Sequence, residues 1–361
     1  MKLRLRVIIA LVFLANSALA DSKDYVAAPM MVGPQYPIMF LSTVFVPDTA
    51  FVLDENDFYV ASTYSVVNSY VLSRNSGIKK EQSSDPSYFS DLDNNGYSVY
   101  MDVEMERRLF RFYYGISSNL QLQFTYRDFG YVSGTLDESI ENFHTSLQID
   151  NQNRDLVDRN KLALYIHDNE TKENIYIVTE ESPGFMKESA TIGFKYRLFG
   201  SDSSAFSFGF SSNYGDYYVE RGVNESTSMD EFEEHSDFND QNYSFLYTSK
   251  YDGFTLHAAY SSTIIKTSLL PKSPKRINYM FLGINGALSD KWYYVLQGLR
   301  YTSPFPKVET STIGEDVLEI AGSFRWLFRD NILLEIGFVE NQTQGAQNVD
   351  IALLTNLMFY L

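Results

Sequence analysis

The sequence predicts an all-β fold: a transmembrane up-and-down antiparallel β-barrel of about twelve strands, with a helical insert in an outer loop. Three observations predict it. Apolar residues alternate with polar ones over runs of roughly ten residues, the length a tilted strand needs to cross a bilayer. The connections between these runs alternate long and short. The chain carries 27 Tyr and 27 Phe beside only 2 Trp, an aromatic content of 16% that suits the ring girdles of a membrane barrel.

Met1–Ala20 reads as a secretory signal. Lys2, Arg4 and Arg6 precede a short apolar core, and Ala18-Leu19-Ala20 forms a small-x-small cleavage site. The apolar run is too short for a spanning helix. Removing the three basic residues lowers the formal charge of −17 to −20, which argues against a nucleic-acid partner. Cysteine is absent, which excludes disulfides and thiolate chemistry. Residues 21–57 hold Pro29, Pro34, Pro37 and Pro47 around the apolar run Ile38–Val46. That density of proline disfavours a central strand. The segment is a periplasmic extension or a lumen plug, and its apolar run favours the plug.

The barrel is expected over residues 58–361, in strands Phe58–Leu72, Tyr97–Ile116, Leu120–Val132, Ala190–Phe199, Phe206–Val219, Tyr243–Lys250, Phe254–Ile264, Ile277–Leu288, Trp292–Tyr301, Val317–Phe328, Ile332–Asn341 and Val349–Leu361. The last three show the pattern best: Leu318, Ile320 and Phe324 oppose Glu319, Ser323 and Arg325, and Ile336 and Phe338 oppose Glu335. In the second strand the phase slips near Arg107-Arg108, which suggests a bulge. The strands Ile277–Leu288 and Trp292–Tyr301 alternate too poorly for faces to be assigned. Asp252-Gly253 is a strong hairpin dipeptide. Ser117–Asn119, Gly200–Ser204, Ser289–Lys291 and Arg329–Asn331 are short; Ser73–Gly96, Ser133–Ser189 and Glu220–Asn242 are long. Sorted this way, the short turns face the periplasm with both termini, and the strand number is even.

Charge on the lipid face is costly, about 2–4 kcal/mol for Arg or Lys at mid-membrane. Alternation therefore turns Asp102, Glu104, Glu106, Arg111, Arg127, Lys195, Arg197, His257, Glu319, Arg325 and Glu335 inward. They read either as a solute path or as a salt-bridged lumen that fills a small barrel. Within the insert 134–159, Leu136, Ile140, Phe143 and Leu147 share a helical face, with Thr135 as cap and Asp137 and Glu138 at the positive end. Such a helix either narrows the barrel mouth as a lid, with His144 and Arg154 toward the lumen charges, or packs on the rim.

Gly134, Leu136-Asp137, Ile140, Phe143-His144 and Asn153-Arg154, together with Tyr114-Gly115-Ile116-Ser117-Ser118-Asn119-Leu120, carry a resemblance to an uncharacterised proteobacterial domain-of-unknown-function family of outer-membrane barrels. Pro47, Leu53 and Asn68 extend it toward the N-terminus. Family members have a Gly-Gly pair before the Arg, where this chain has Gln152-Asn153. The resemblance implies a Gram-negative outer-membrane barrel and no activity or ligand.

An enzyme is the weakest reading. His144 and Ser146 are spaced like the pair of outer-membrane phospholipases, but on a helix i and i+2 do not share a face. His257 lies beside Ser261 and Thr263 with no carboxylate placed to orient it. The acidic stretch Asp230, Glu231, Glu233, Glu234, Asp237, Asp240 matches no calcium-loop spacing. No cofactor and no metal site is expected. The expected surroundings are outer-membrane lipid, lipopolysaccharide and the barrel-assembly machinery. The expected function is a porin-like passive channel or transporter for a small solute, and the alternative is a structural or interaction barrel with a plugged lumen.

Overall fold

The computed structural model describes residues 26–41, 45–72, 97–132, 134–147, 159–171, 173–179, 185–220, 232–236, 240–266, 272–305, 314–342 and 351–360. The expected signal, residues 1–20, lies outside them. Among the described residues, fifteen strands and one α-helix follow in order: β1 Phe58–Leu72, β2 Tyr97–Ser117, β3 Leu120–Val132, α1 Asp137–Leu147, β4 Ala163–Asp168, β5 Glu173–Thr179, β6 Phe185–Gly200, β7 Ser204–Glu220, β8 Phe232–Ser236, β9 Gln241–Tyr251, β10 Phe254–Ile264, β11 Arg276–Ala287, β12 Trp292–Tyr301, β13 Val317–Arg329, β14 Ile332–Asn341 and β15 Ile351–Tyr360.

Twelve of these close an antiparallel barrel: β1, β2, β3, β6, β7 and β9 through β15. The first and last strands pair from Tyr59↔Tyr360 to Asn68↔Ile351, so the ring has no edge. The other three lengthen the wall at the long-loop end. β4 pairs with β2 just beyond the last β3 partner, and β5 pairs with β4. β8 pairs with the end of β7. Part of the expected 133–189 loop is therefore strand that extends the wall beyond β3 and lengthens β6. The short turns gather at the opposite end; at one of them Gly253 takes φ +88°, which only glycine adopts freely.

The outer wall is apolar. Phe110, Ile192, Leu282, Phe324, Ile336 and Leu353 stand exposed on it. Arg108 and Asp128, ion-paired at 2.8 Å, interrupt it toward the long-loop end. There is no bulge at Arg107-Arg108: β2 runs in register with β1 and β3 through both residues, and its irregularity lies at Gly115/Ser117. Alternation fades in this half because β2 is covered on both faces. Val99, Met101, Val103 and Met105 pack inward, while Tyr100, Asp102 and Glu104 on the opposite face are also buried.

Candidate functional site

The lumen is filled by the chain's own N-terminal segment. Starting near the short-turn end, the carbonyls of Val26, Ala28 and Pro29 accept from the Arg325 guanidinium. Met30 exchanges two hydrogen bonds with Gln297, 2.9 and 3.0 Å. Gln35 N donates to Glu319, near the long-loop end. A 3-10 turn, Pro37–Leu41, reverses the segment. On the way back Phe45 meets Tyr279 and Phe281, and Asp48 receives Lys195 Nζ at 2.8 Å and Gln123 Nε2 at 2.9 Å. The segment leaves at the short-turn end, where Leu53 N donates to Gln121 and Asn56 N to Gly115 O. A Cβ on Gly115 would stand 1.9 Å from Asp54 O, so the exit passes where only glycine leaves room. Contacts to inward side chains from β2 round to β13 place this segment inside the ring.

The sequence favours an inward segment because its apolar residues have nowhere else to go. Tyr36, Ile38, Met39, Phe40 and Phe45 join Met101, Val103, Phe129, Tyr279 and Val317 in one buried cluster. Burying each such side chain stabilises by about 1.5–3 kcal/mol. Four prolines each remove a backbone donor, and lumen side chains bind several of the remaining N–H groups and carbonyls.

The inward polar residues serve this packing. Glu335 sits between Arg325 Nε (2.7 Å), Ser323 (2.7 Å) and Asn356 (3.2 Å), all buried. Arg111 donates to Met31 O at 2.5 Å and to the Thr63 hydroxyl. Arg127 Nε reaches Ser189 at 2.6 Å. Glu319 accepts from Tyr301 as well as Gln35. His257 contacts Thr248 through Nδ1 (2.9 Å) and the Ala27 carbonyl through Nε2 (2.7 Å), so Nε2 carries the proton and donates. Ser261 is bound to Asn242 and the Tyr243 carbonyl. His257 and Ser261 are therefore each committed elsewhere and form no nucleophile–base pair. Arg197 is half-exposed at the short-turn end, bonded to Asn119.

Three of the expected inward charges face the other way. Asp102, Glu104 and Glu106 share parity with Arg108 and Phe110 on the outer wall. The expected phase slip had turned them inward; without it, Arg107 joins Arg111 in the lumen. Glu104 is the anchor of the insert. Its carboxylate accepts from the backbone N–H of Thr135 and Leu136 and from Asn68 Nδ2. Asn68 also donates to Asp137 at 3.0 Å, and Asp137 accepts from Asn160 N. Helix α1 is thus held by its first turn against the outside of β1 and β2, not across the mouth. Ile140 is buried there and Leu136 is half-buried. The side chains of Phe143, His144 and Leu147, and Arg154 altogether, lie outside the described residues. Replacing Glu104 by Ala removes the acceptor of the Thr135 and Leu136 N–H groups, which costs about 1–3 kcal/mol in all, since Thr135 is exposed and Leu136 half-buried and water can take part of the acceptor's place. The expected result is faster limited proteolysis within residues 133–162 with the barrel intact, read as unchanged mobility of the unboiled protein on a gel.

Of the acidic outer stretch, Glu233 and Glu234 fall in β8, and Asp240 is buried and accepts from Lys266 N; the rest lies outside the described residues. Among the described residues no cluster is arranged to hold a metal ion.

Residues the sequence left unnoticed complete the site. Asp48, Gln297, Asn285 and Thr248 all bind the segment or are part of it, and Arg107 lines the space beside it. Among the described residues, two cavities lie beside the segment. One, about 590 Å³, is a cup at the short-turn end between the segment and Phe58, Tyr59 and Tyr360. The other, about 80 Å³, lies deeper, among Arg107, Arg127, Thr125 and Thr191. Asp48, Tyr113 and Lys195 line both.

Among solved structures the chain is similar to an outer membrane channel from Pseudomonas putida F1, with 8% identity and a TM-score of 0.47 over 86% of this chain and 98% of that one. It is also similar to the translocator domain of the autotransporter NalP from Neisseria meningitidis (11%, 0.43, 85% and 88%) and to the Pseudomonas putida toluene transporter TodX (8%, 0.36, 96% and 94%). No curated protein matches the chain. A family model described as "Protein of unknown function (DUF3187)" matches residues 4–360, and the chain belongs to that family.

Proposed function

We propose that this protein is an outer-membrane barrel, closed at rest by its N-terminal segment, that passes a small solute when the segment shifts. The observation that carries the reading is the segment itself. It runs from the short-turn end to the long-loop end and back, yet leaves two adjoining cavities beside it. The apolar outer wall suits a bilayer, and the sorted turns support a periplasmic position for the cup. Lipid and lipopolysaccharide meet the outer wall, and the barrel-assembly machinery inserts it. The reading is of a conduit and not an enzyme, since the lumen histidine is consumed in packing. A permanently plugged interaction barrel is the second reading, favoured by the many hydrogen bonds that hold the segment.

Planar-bilayer recording separates them. The intact protein is expected to be nearly silent. A variant lacking residues 26–53, shown to be folded by its shift in gel mobility on heating, is expected to conduct in steady steps. A folded deletion variant that stays silent would rule out the conduit. An intact protein that conducts like its deletion variant would show that the segment is no seal.

A further inference from the structure

We propose that the deep cavity is a binding site for a small oxyanion, a carboxylate or phosphate group, anchored by Arg107. Arg107 points inward from β2 and is 2% exposed. Among the described residues, its Nε and Nη2 have no hydrogen-bond partner. Those two N–H groups lie along one edge of the guanidinium, parallel to each other. They are the donor pair that a carboxylate or phosphate grips with two oxygens at once. The Phe40 ring, 4.6 Å away, covers one face of the guanidinium, which holds the plane and leaves the edge available.

The surroundings suit an anion. The cavity lining includes three cationic side chains, Arg107, Arg127 and Lys195, against one carboxylate, Asp48. Asp48 is already engaged by Lys195 and Gln123. Arg127 lies diagonally across the β2–β3 ladder from Arg107, since Arg107 pairs with Phe129 and Leu109 with Arg127. Thr125, Thr191 and Ser244 add polar side chains to the same wall. A volume of about 80 Å³ is several times the roughly 10–15 Å³ that holds one water, which leaves room for a small oxyanion. Buried guanidinium donors without partners are costly, and an oxyanion satisfies both while balancing the excess of positive charge. The ion enters from the cup, past Asp48, Tyr113 and Lys195, which border both cavities. This site does not require the barrel to conduct.

The test is calorimetric titration of the full-length, detergent-folded protein with sodium phosphate and, separately, sodium formate, at constant ionic strength set with chloride. Saturable binding of either ion is expected, and Arg107→Gln should weaken it more than tenfold. Arg108→Gln, on the opposite face of the same strand, should leave it unchanged. Which of the two ions binds more tightly identifies the source chemistry. Crystals of the unaltered protein soaked in selenate should show an anomalous peak beside Arg107, a readout that stands even if Arg107→Gln does not fold. The proposal is overturned by no saturable binding of either ion, by equal affinity in Arg107→Gln, or by a cavity that holds water alone in the selenate soak.

Discussion

Arg325→Met should be the most damaging single substitution in the lumen, at about 3–5 kcal/mol. The side chain is 1% exposed and makes four hydrogen bonds, one to Glu335 and three to carbonyls of the N-terminal segment. Methionine fills similar space and supplies no donor. Glu335, wholly buried, would keep only Ser323 and Asn356 as partners, and an uncompensated buried charge is what makes such a change severe. The temperature at which the folded gel band converts to the unfolded one measures the loss. The double variant Arg325→Met/Glu335→Met should recover most of the stability, because the stranded charge is gone. It should not restore the tether, so protease should still clip residues 26–30 faster than in the parent. Both variants should show brief openings in bilayers. A single variant that loses less than about 1 kcal/mol would mean that the segment is held elsewhere.

The second large effect lies on the other side of the wall. Ile336 sits mid-strand in β14, 60% exposed between Phe324 and Thr355. Arginine there places a charge in hydrocarbon and should cost about 2–4 kcal/mol of folding into bilayers. The same substitution at Asn331, in the β13–β14 turn, should cost almost nothing. Urea titration of the protein folded into vesicles reads both. Equal costs would mean that Ile336 does not face lipid.

The barrel was legible wherever the lumen face is polar. In β13 and β14, Glu319, Arg325 and Glu335 face a segment that offers backbone groups, so the two faces differ and the period shows. In β11 the lumen face carries Ile277, Tyr279 and Phe281, because Phe45 packs there. Both faces are then apolar and the period vanishes. β2 fails for the same reason in its first half, with the insert covering the outside as well. The misplacement of Asp102, Glu104 and Glu106 follows from that: a carboxylate was expected to shun the outer face, but here Asp102 and Glu104 are buried and Glu104 binds the insert. Counting parity without a slip would have found Arg107. Asp48 left no pattern at all, since a lone acid beside a proline in an irregular segment has no period to betray it.

The N-terminal segment enters and leaves the barrel at the same end. It is a folded-back strand laid into the lumen, not a thread drawn through it. The ring around it closes by pairing β1 with β15, the earliest and the latest strands in the chain. A lumen is enclosed only when that pairing is made, and the segment is covalently continuous with β1, one side of the seam. Its partners Arg111, Gln121, Lys195 and Arg325 come from strands spread along the chain. The closed ring therefore holds a filled interior, where a chain without residues 26–53 would enclose water.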